Sequence, residues 1–296
     1  MKLNQLIYFS FSALIAIGLA SCGTSSSDKG KNSTEFEEAE ESLPEKLEGL
    51  VYNIPSPSEI PYLLQATGAE FNESLVNSRS KVDQYSSRTD KAALNLGVYA
   101  ADIGYLSSYD KTQEAIDYLE SAKTLADGLG VIGSFDVEVL QQFEANISKK
   151  DSLSRLLDRT IKKTEIFLKD DNRNKLSALV VTGGFIEGLY ISTGLVKSYP
   201  KDLLPTDAKN LVLTPIIRVI LEQKKSVTDL VKMLADVEQT EPVASLTTDL
   251  KALEAEYAAL NIEEQIKNNT ANLVLTDKNL VEITNIVGKM RNSITE

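Results

Sequence analysis

The chain has 296 residues, with 43 acidic side chains against 31 basic ones and a formal net charge of −12. It contains no histidine and a single cysteine, Cys22. Those two counts exclude a disulfide framework, a multi-cysteine metal site, Ser-His-Asp and Cys-His catalysis, H-E-x-x-H zinc sites and Glu-x-x-His di-iron sites. Chemistry is left to carboxylates, Ser/Lys, Tyr and Arg, and no metal or cofactor is expected. An acidic surface of this kind repels phosphate backbones, which nucleic-acid binding must neutralise with Lys and Arg, so nucleic acid is not an expected partner.

Residues 1–21 have the layout of a processing signal. Lys2 supplies the positive end, Leu6 to Leu19 an apolar stretch, and Ala20-Ser21 small residues before Cys22. An apolar run of about 14 residues is short for a transmembrane helix, which needs roughly 20. With Leu19 at −3, Ser21 at −1 and Cys22 at +1, the segment resembles the bacterial lipobox. That resemblance implies a diacylglyceryl thioether on Cys22, cleavage before it, and acylation of the new amino terminus with a fatty acid such as palmitate. Each buried methylene contributes about 0.8 kcal/mol, and stable anchoring needs more than one chain, which a triacylated Cys22 provides.

Residues 22–50 carry G-T-S-S-S-D-K-G-K and then Glu35, Glu37, Glu38, Glu40 and Glu41 around a lone Phe36. Few apolar residues and a like-charge run cannot offset chain entropy, so this segment is expected to be a disordered, lipidated acidic tether. A flexible chain of about 25 residues holds a domain a few nanometres from a bilayer. Some Bacteroidota surface lipoproteins place acidic residues directly after the cysteine as an export signal. Here Gly23-Thr24-Ser25-Ser26-Ser27 intervenes, which favours the periplasmic face of the outer membrane over the cell surface.

The remaining residues, 51–296, are expected to form one α-helical domain. Val51 to Pro57 reads as an extended lead-in because each proline biases its predecessor away from the helical region, and Ser58 can cap a helix with Pro61 in its first turn. From there the apolar period is helical. One stripe runs through Ile116, Leu119, Ala122, Ala126 and Leu129, closed by Gly128 and Gly130; another through Leu153, Leu156, Leu157, Ile161, Thr164 and Leu168. Further stripes follow at Val227, Leu230, Val231, Leu234 and Val237, at Leu246, Leu250, Leu253, Tyr257 and Leu260, and at Leu280, Ile283, Val287, Met290 and Ile294. Only Leu179–Thr182 and Asn272–Leu275 are β-friendly, and both are short enough to be helical turns or connectors. The fold class is therefore all-α, a single helical bundle or a short α-solenoid-like domain.

Ala115, Leu119 and Ala122, within Q-E-A-I-D-Y-L-E-S-A-K-T-L, resemble the second helix of a tetratricopeptide repeat. A degenerate hairpin of that type is one reading and generic hairpin packing the other, since no second copy follows 34 residues on. The lipobox together with an acidic helical domain carrying L-G-V-Y-A-A-D and G-G-F-I-E-G-L-Y is similar to uncharacterised Bacteroidota envelope lipoproteins. That similarity implies no activity.

Those two segments contain the candidate site. In a helix from about Asp90 to Leu106, Gly97, Ala100, Ala101 and Gly104 make a small-residue face, with Tyr99, Asp102, Tyr105 and Tyr109 at helical spacings. In a helix around 177–197, Gly183, Gly184, Gly188 and Gly194 alternate with Glu187, Tyr190 and Thr193. Glycine costs about 1 kcal/mol against alanine in a helix interior, so several together call for a compensating cause, of which close helix approach is the simplest. If these helices cross through their glycines, Asp102 and Glu187 are drawn inward with tyrosine hydroxyls as partners, and Tyr99, Asp102, Tyr105, Glu187 and Tyr190 become ligand-binding candidates. Two other readings stay open: a tight crossing with no ligand, and catalysis by the carboxylate pair.

Other matches are weak. Asp170, Asn172 and Asn174 imitate the start of an EF-hand loop, but Lys175 and Val181 stand where Gly and Glu are required. Ser78-x-x-Lys81 and Ser108-x-x-Lys111 have Ser-Lys nucleophile spacing without the accompanying motifs. The expected function is a membrane-anchored envelope lipoprotein acting as a non-enzymatic helical scaffold or protein-binding module. The alternatives are a small-molecule or peptide binder and a carboxylate-dependent hydrolase.

Overall fold

In the computed structural model the described residues are 70–131, 141–142, 145–146, 174–198, 217, 220–260 and 278–296, all within one compact unit, Glu41–Glu296. Their regular structure is entirely helical. Cys22 and the tether, the lead-in at 51–57, the Ser58 cap, the Leu153–Leu168 stripe, Asp170, Asn172 and the run at 272–275 lie outside the described residues.

After single 3₁₀ turns at Glu73–Leu75 and Arg79–Lys81 come α1 (Val82–Ser86), α2 (Thr89–Ser108) and α3 (Thr112–Gly128). They are followed by α4 (Asn174–Ser198), α5 (Lys224–Ala235), α6 (Val243–Ala259) and α7 (Lys278–Thr295). The β-friendly Leu179–Thr182 is interior to α4, where burial against neighbouring helices overrides its local preference.

Helix α2 reverses into α3 through a tight C-cap. Asp110 sits at φ 56°, the Lys111 N–H donates to the Leu106 carbonyl at 3.0 Å, and the Asp110 N–H donates to Ser107 at 3.2 Å, the paired bonds of a Schellman motif. The end of α3 repeats the device, with Gly130 at φ 72° and Val131 N–H donating to Ala126 at 2.9 Å. The buried face of α3 is Ala115, Tyr118, Leu119, Ala122, Leu125, Ala126 and Leu129, and Ile116 is only half-buried. The apolar stripe read from the sequence therefore lay slightly off the real face, because Tyr118 turns inward to reach a partner.

Helix α2 lies between α3 and α4, while α4 also contacts α7 and α5. Helix α6 joins α5 to α7, closing the packing around one continuous core. The stripes of α5, α6 and α7 are buried as their periods require, with Val231 partly so. Polar contacts tie the rims: the Thr228 hydroxyl donates to Glu254 at 2.5 Å, Lys289 pairs with Asp249 at 2.9 Å, and Tyr257 donates to the Ile220 carbonyl at 2.9 Å. Among the described residues, α4 is the one helix long and apolar enough to cross a membrane; here it is a central helix of the bundle, and 61% of its apolar window is buried by its neighbours.

The α2/α4 crossing is as close as the glycines implied. A Cβ on Gly97 would stand 2.0 Å from the Val180 carbonyl oxygen, and one on Gly183 would stand 2.0 Å from that of Leu94. Backbone meets backbone there, so any larger residue separates the helices.

Candidate functional site

Asp102 projects from α2, Glu187 from α4 and Arg291 from α7 into the junction of the three helices. Both carboxyl groups are fully buried. Arg291 grips Glu187 with two bonds, Nε to Oε2 at 3.1 Å and Nη2 to Oε1 at 3.3 Å, and its guanidinium lies 4.7 Å from the Tyr190 ring centroid. A bidentate, charge-assisted pair stacked on an aromatic face is the geometry for which arginine is suited and lysine is not.

Asp102 accepts the Asn77 backbone N–H on Oδ2 at 3.2 Å, while its Oδ1 is buried with no hydrogen-bond partner among the described residues, and the Glu187 carboxyl is its charged neighbour in the junction. Burial, and next the Glu187 charge, push Asp102 well above the usual carboxylate range. Burial raises Glu187 too, opposed by the attraction and hydrogen bonds of Arg291.

The tyrosines serve a different purpose from the one the sequence implied. The hydroxyls of Tyr85, Tyr99, Tyr105 and Tyr118 bond to the backbone of the Asn72–Ser78 segment or of α7, and none of these bonds to Asp102 or Glu187. Tyr118 donates to the Asn77 carbonyl at 2.6 Å, Tyr99 to that of Ser78 at 3.2 Å, and Tyr105 accepts the Asn72 N–H at 3.0 Å. Tyr85 donates to the Thr295 carbonyl at 2.9 Å, and the Asn95 amide donates to that of Ile294 at 3.0 Å, so the last turn of α7 is capped by side chains from α1 and α2. Phe71 stacks on Tyr105 at 5.2 Å between centroids, and Tyr109, whose hydroxyl is pushed up to about 12 by burial, completes an aromatic corner.

Of the five candidates, Tyr99, Asp102, Tyr105 and Glu187 are sealed in the core; Tyr190 alone reaches an opening. That opening is a cleft of about 970 Å³ between the C-terminal half of α4 and α7, floored at one end by Asn72 and Leu75. Polar side chains stand on both walls among apolar surface: Tyr190, Thr193 and Lys197 on one side, Asn285, Lys289 and Asn292 on the other. Gly288 opens its middle, since a Cβ there would meet nothing within 4 Å. Asn174, the one EF-hand position described, begins α4 as a helical residue, and no cluster of three or more metal-ligating side chains exists among the described residues.

Arg291, Asn77 and the cleft were missed by the sequence reading. Arg291 left a signal of sorts: it is a cation within an otherwise regular apolar stripe on α7. No protein-family model, curated protein or solved structure matches the chain.

Proposed function

We propose that this chain is a bacterial envelope lipoprotein, anchored through lipid on Cys22, whose helical domain is a non-enzymatic module that binds a segment of another envelope protein in the α4/α7 cleft. The observation that carries the binding face is the cleft itself. Its volume is at the upper end of the few hundred to roughly 1,000 Å³ typical of ligand sites, and its walls offer the Tyr190, Lys197 and Asn292 side chains. Hydroxyl, amide and ammonium groups on the two walls suit the donors and acceptors of a peptide backbone. Lys197 has no carboxylate partner among the described residues, and it places an ammonium group at the rim of the cleft.

A hydrolase reading has less support. Hydrolytic carboxylate pairs flank a substrate, whereas Asp102 and Glu187 are both fully buried and neither lines the cleft. The lipobox supports an outer-membrane address, with the periplasmic face favoured.

The test is photocrosslinking in native membranes with a photoreactive residue at Asn285 or Lys197, compared with exposed Glu120 on α3. The expected result is a discrete protein adduct from the cleft positions only, lost in Gly288→Phe, which fills the cleft. Adducts that ignore position, or none from the cleft, would overturn the binding face. Cys22→Ala is expected to move the protein from the membrane to the soluble fraction; a mutant that stays in the membrane removes the anchor.

A further inference from the structure

We propose that Asp102 and Glu187 hold one shared proton, and that losing it loosens α7 from α4 and so deforms the cleft bordered by Tyr190. The consequence for binding rests on the cleft being the binding face; the proton itself does not.

The charges in the junction do not balance without that proton. Two ionised carboxylates and one guanidinium would leave a net −1 in a junction where both carboxyl groups are fully buried. The ionisable groups facing it from the surrounding elements are Tyr85 of α1, Tyr99 of α2, Tyr118 of α3, Glu187 of α4 and Arg291 of α7. Arg79, which acts on Tyr118, is at the surface and paired with Asp117 at 2.8 Å. Each of the three phenols gives its proton to a backbone carbonyl, and burial pushes each of them up, so none of them supplies charge.

Geometry assigns the proton to one atom. Both Glu187 oxygens already receive guanidinium N–H bonds, and Asp102 Oδ2 receives the Asn77 N–H. Asp102 Oδ1 is the oxygen left without a donor. A hydrogen there turns an unsatisfied buried acceptor into a donor to Glu187 and brings the junction to neutrality.

The same proton acts on the cleft because the contacts are continuous. Asp102 acts electrostatically on Glu187, Glu187 holds Arg291, and Arg291 covers Tyr190, while Gly288, Lys289 and Asn292 on α7 form the opposite wall. Ionising Asp102 places two like charges in contact, and relief requires Glu187 and Arg291 to withdraw together, taking α7 with them.

Hydrogen exchange across residues 280–295, measured on the full chain between pH 5 and 9 and corrected for intrinsic rate, tests the device without any ligand. Opening that frees Asp102 to ionise is expected to become about tenfold more frequent per pH unit in the range where native Asp102 keeps its proton. Asp102→Asn, whose amide reproduces both bonds, is expected to abolish that slope. Infrared difference spectra are expected to contain a neutral carboxylic acid stretch at neutral pH that vanishes in the variant. A flat wild-type profile, an unchanged slope in Asp102→Asn, or no such stretch would overturn the proposal. None of these readouts depends on cleft occupancy, so failure here leaves the crosslinking result standing, and the reverse holds.

Discussion

The carboxyl groups of Asp102 and Glu187 are neighbours in one buried junction, and only that of Glu187 is bonded by Arg291. Two acidic residues in one buried junction thus have unequal surroundings. Glu187 has a cation to stabilise its charge, whereas Asp102 has one backbone N–H and a neighbouring negative charge.

That inequality predicts how stability follows pH. An acid whose native value is raised above its unfolded value, near 3.9 for Asp, favours the folded state fully below that value and loses the contribution as pH climbs toward the native one. Asp102→Asn removes this loss. The stability of the variant relative to wild type is expected to rise with pH from about pH 4 upward, by at most about 1.4 kcal/mol per unit, until native Asp102 ionises. Denaturant titrations at several pH values check it; a constant difference would contradict it.

Removing Glu187 is expected to have a different outcome. Glu187→Met breaks the bidentate pair with Arg291, leaving only Asp102 to balance the guanidinium, and is expected to cost about 3–5 kcal/mol. Arg291→Met is expected to cost a similar amount by stranding Glu187. The double variant Glu187→Met with Arg291→Met is expected to recover most of the loss, because packed apolar side chains replace both charges. A double-mutant cycle by chemical denaturation measures the coupling; additive losses would show that the pair is not a unit.

The crossing glycines make a third prediction with an internal control. Gly97→Ala and Gly183→Ala push a methyl group into a backbone carbonyl 2.0 Å away and are expected to cost about 3 kcal/mol each or to prevent folding. Gly188, on the same helix as Gly183, has nothing within 4 Å of an added Cβ. Gly188→Ala is expected to raise stability by up to about 1 kcal/mol through helix propensity. Thermal melts of the three variants decide it, and equal behaviour would refute the close crossing.

Much of the fold was legible because helical period and glycine clustering are local properties. The stripe Leu280, Ile283, Val287, Met290 and Ile294 identifies the buried face of α7 without reference to anything outside that helix. The glycines of α2 and α4 likewise announced that these two helices approach closely. Asp102 and Glu187 were recognisable as the carboxylates carried inward by that approach.

Their environment was not legible, since it is assembled from distant parts of the chain. Arg291 meets Glu187 across 104 residues, and Asn77 reaches Asp102 across 25. Nothing in the spacing of α2 or α4 says that a cation on α7 arrives beside one carboxylate and not the other. The tyrosines show the same limit: their positions were plain, but their bonds to the Asn72–Ser78 backbone depend on where that segment is laid.

Local pattern was enough to specify a helical fold for the described residues, a chemistry without imidazole, and a helix pair that could cross only through glycine. These follow from composition, which excludes, and from periodicity, which is a property of single helices. Tertiary structure alone decided that the carboxylates would be sealed, that one would face a guanidinium and the other would not, and that the opening would lie between α4 and α7. Burial and charge balance are sums over every group that arrives at one place, and that place exists only once the helices have packed.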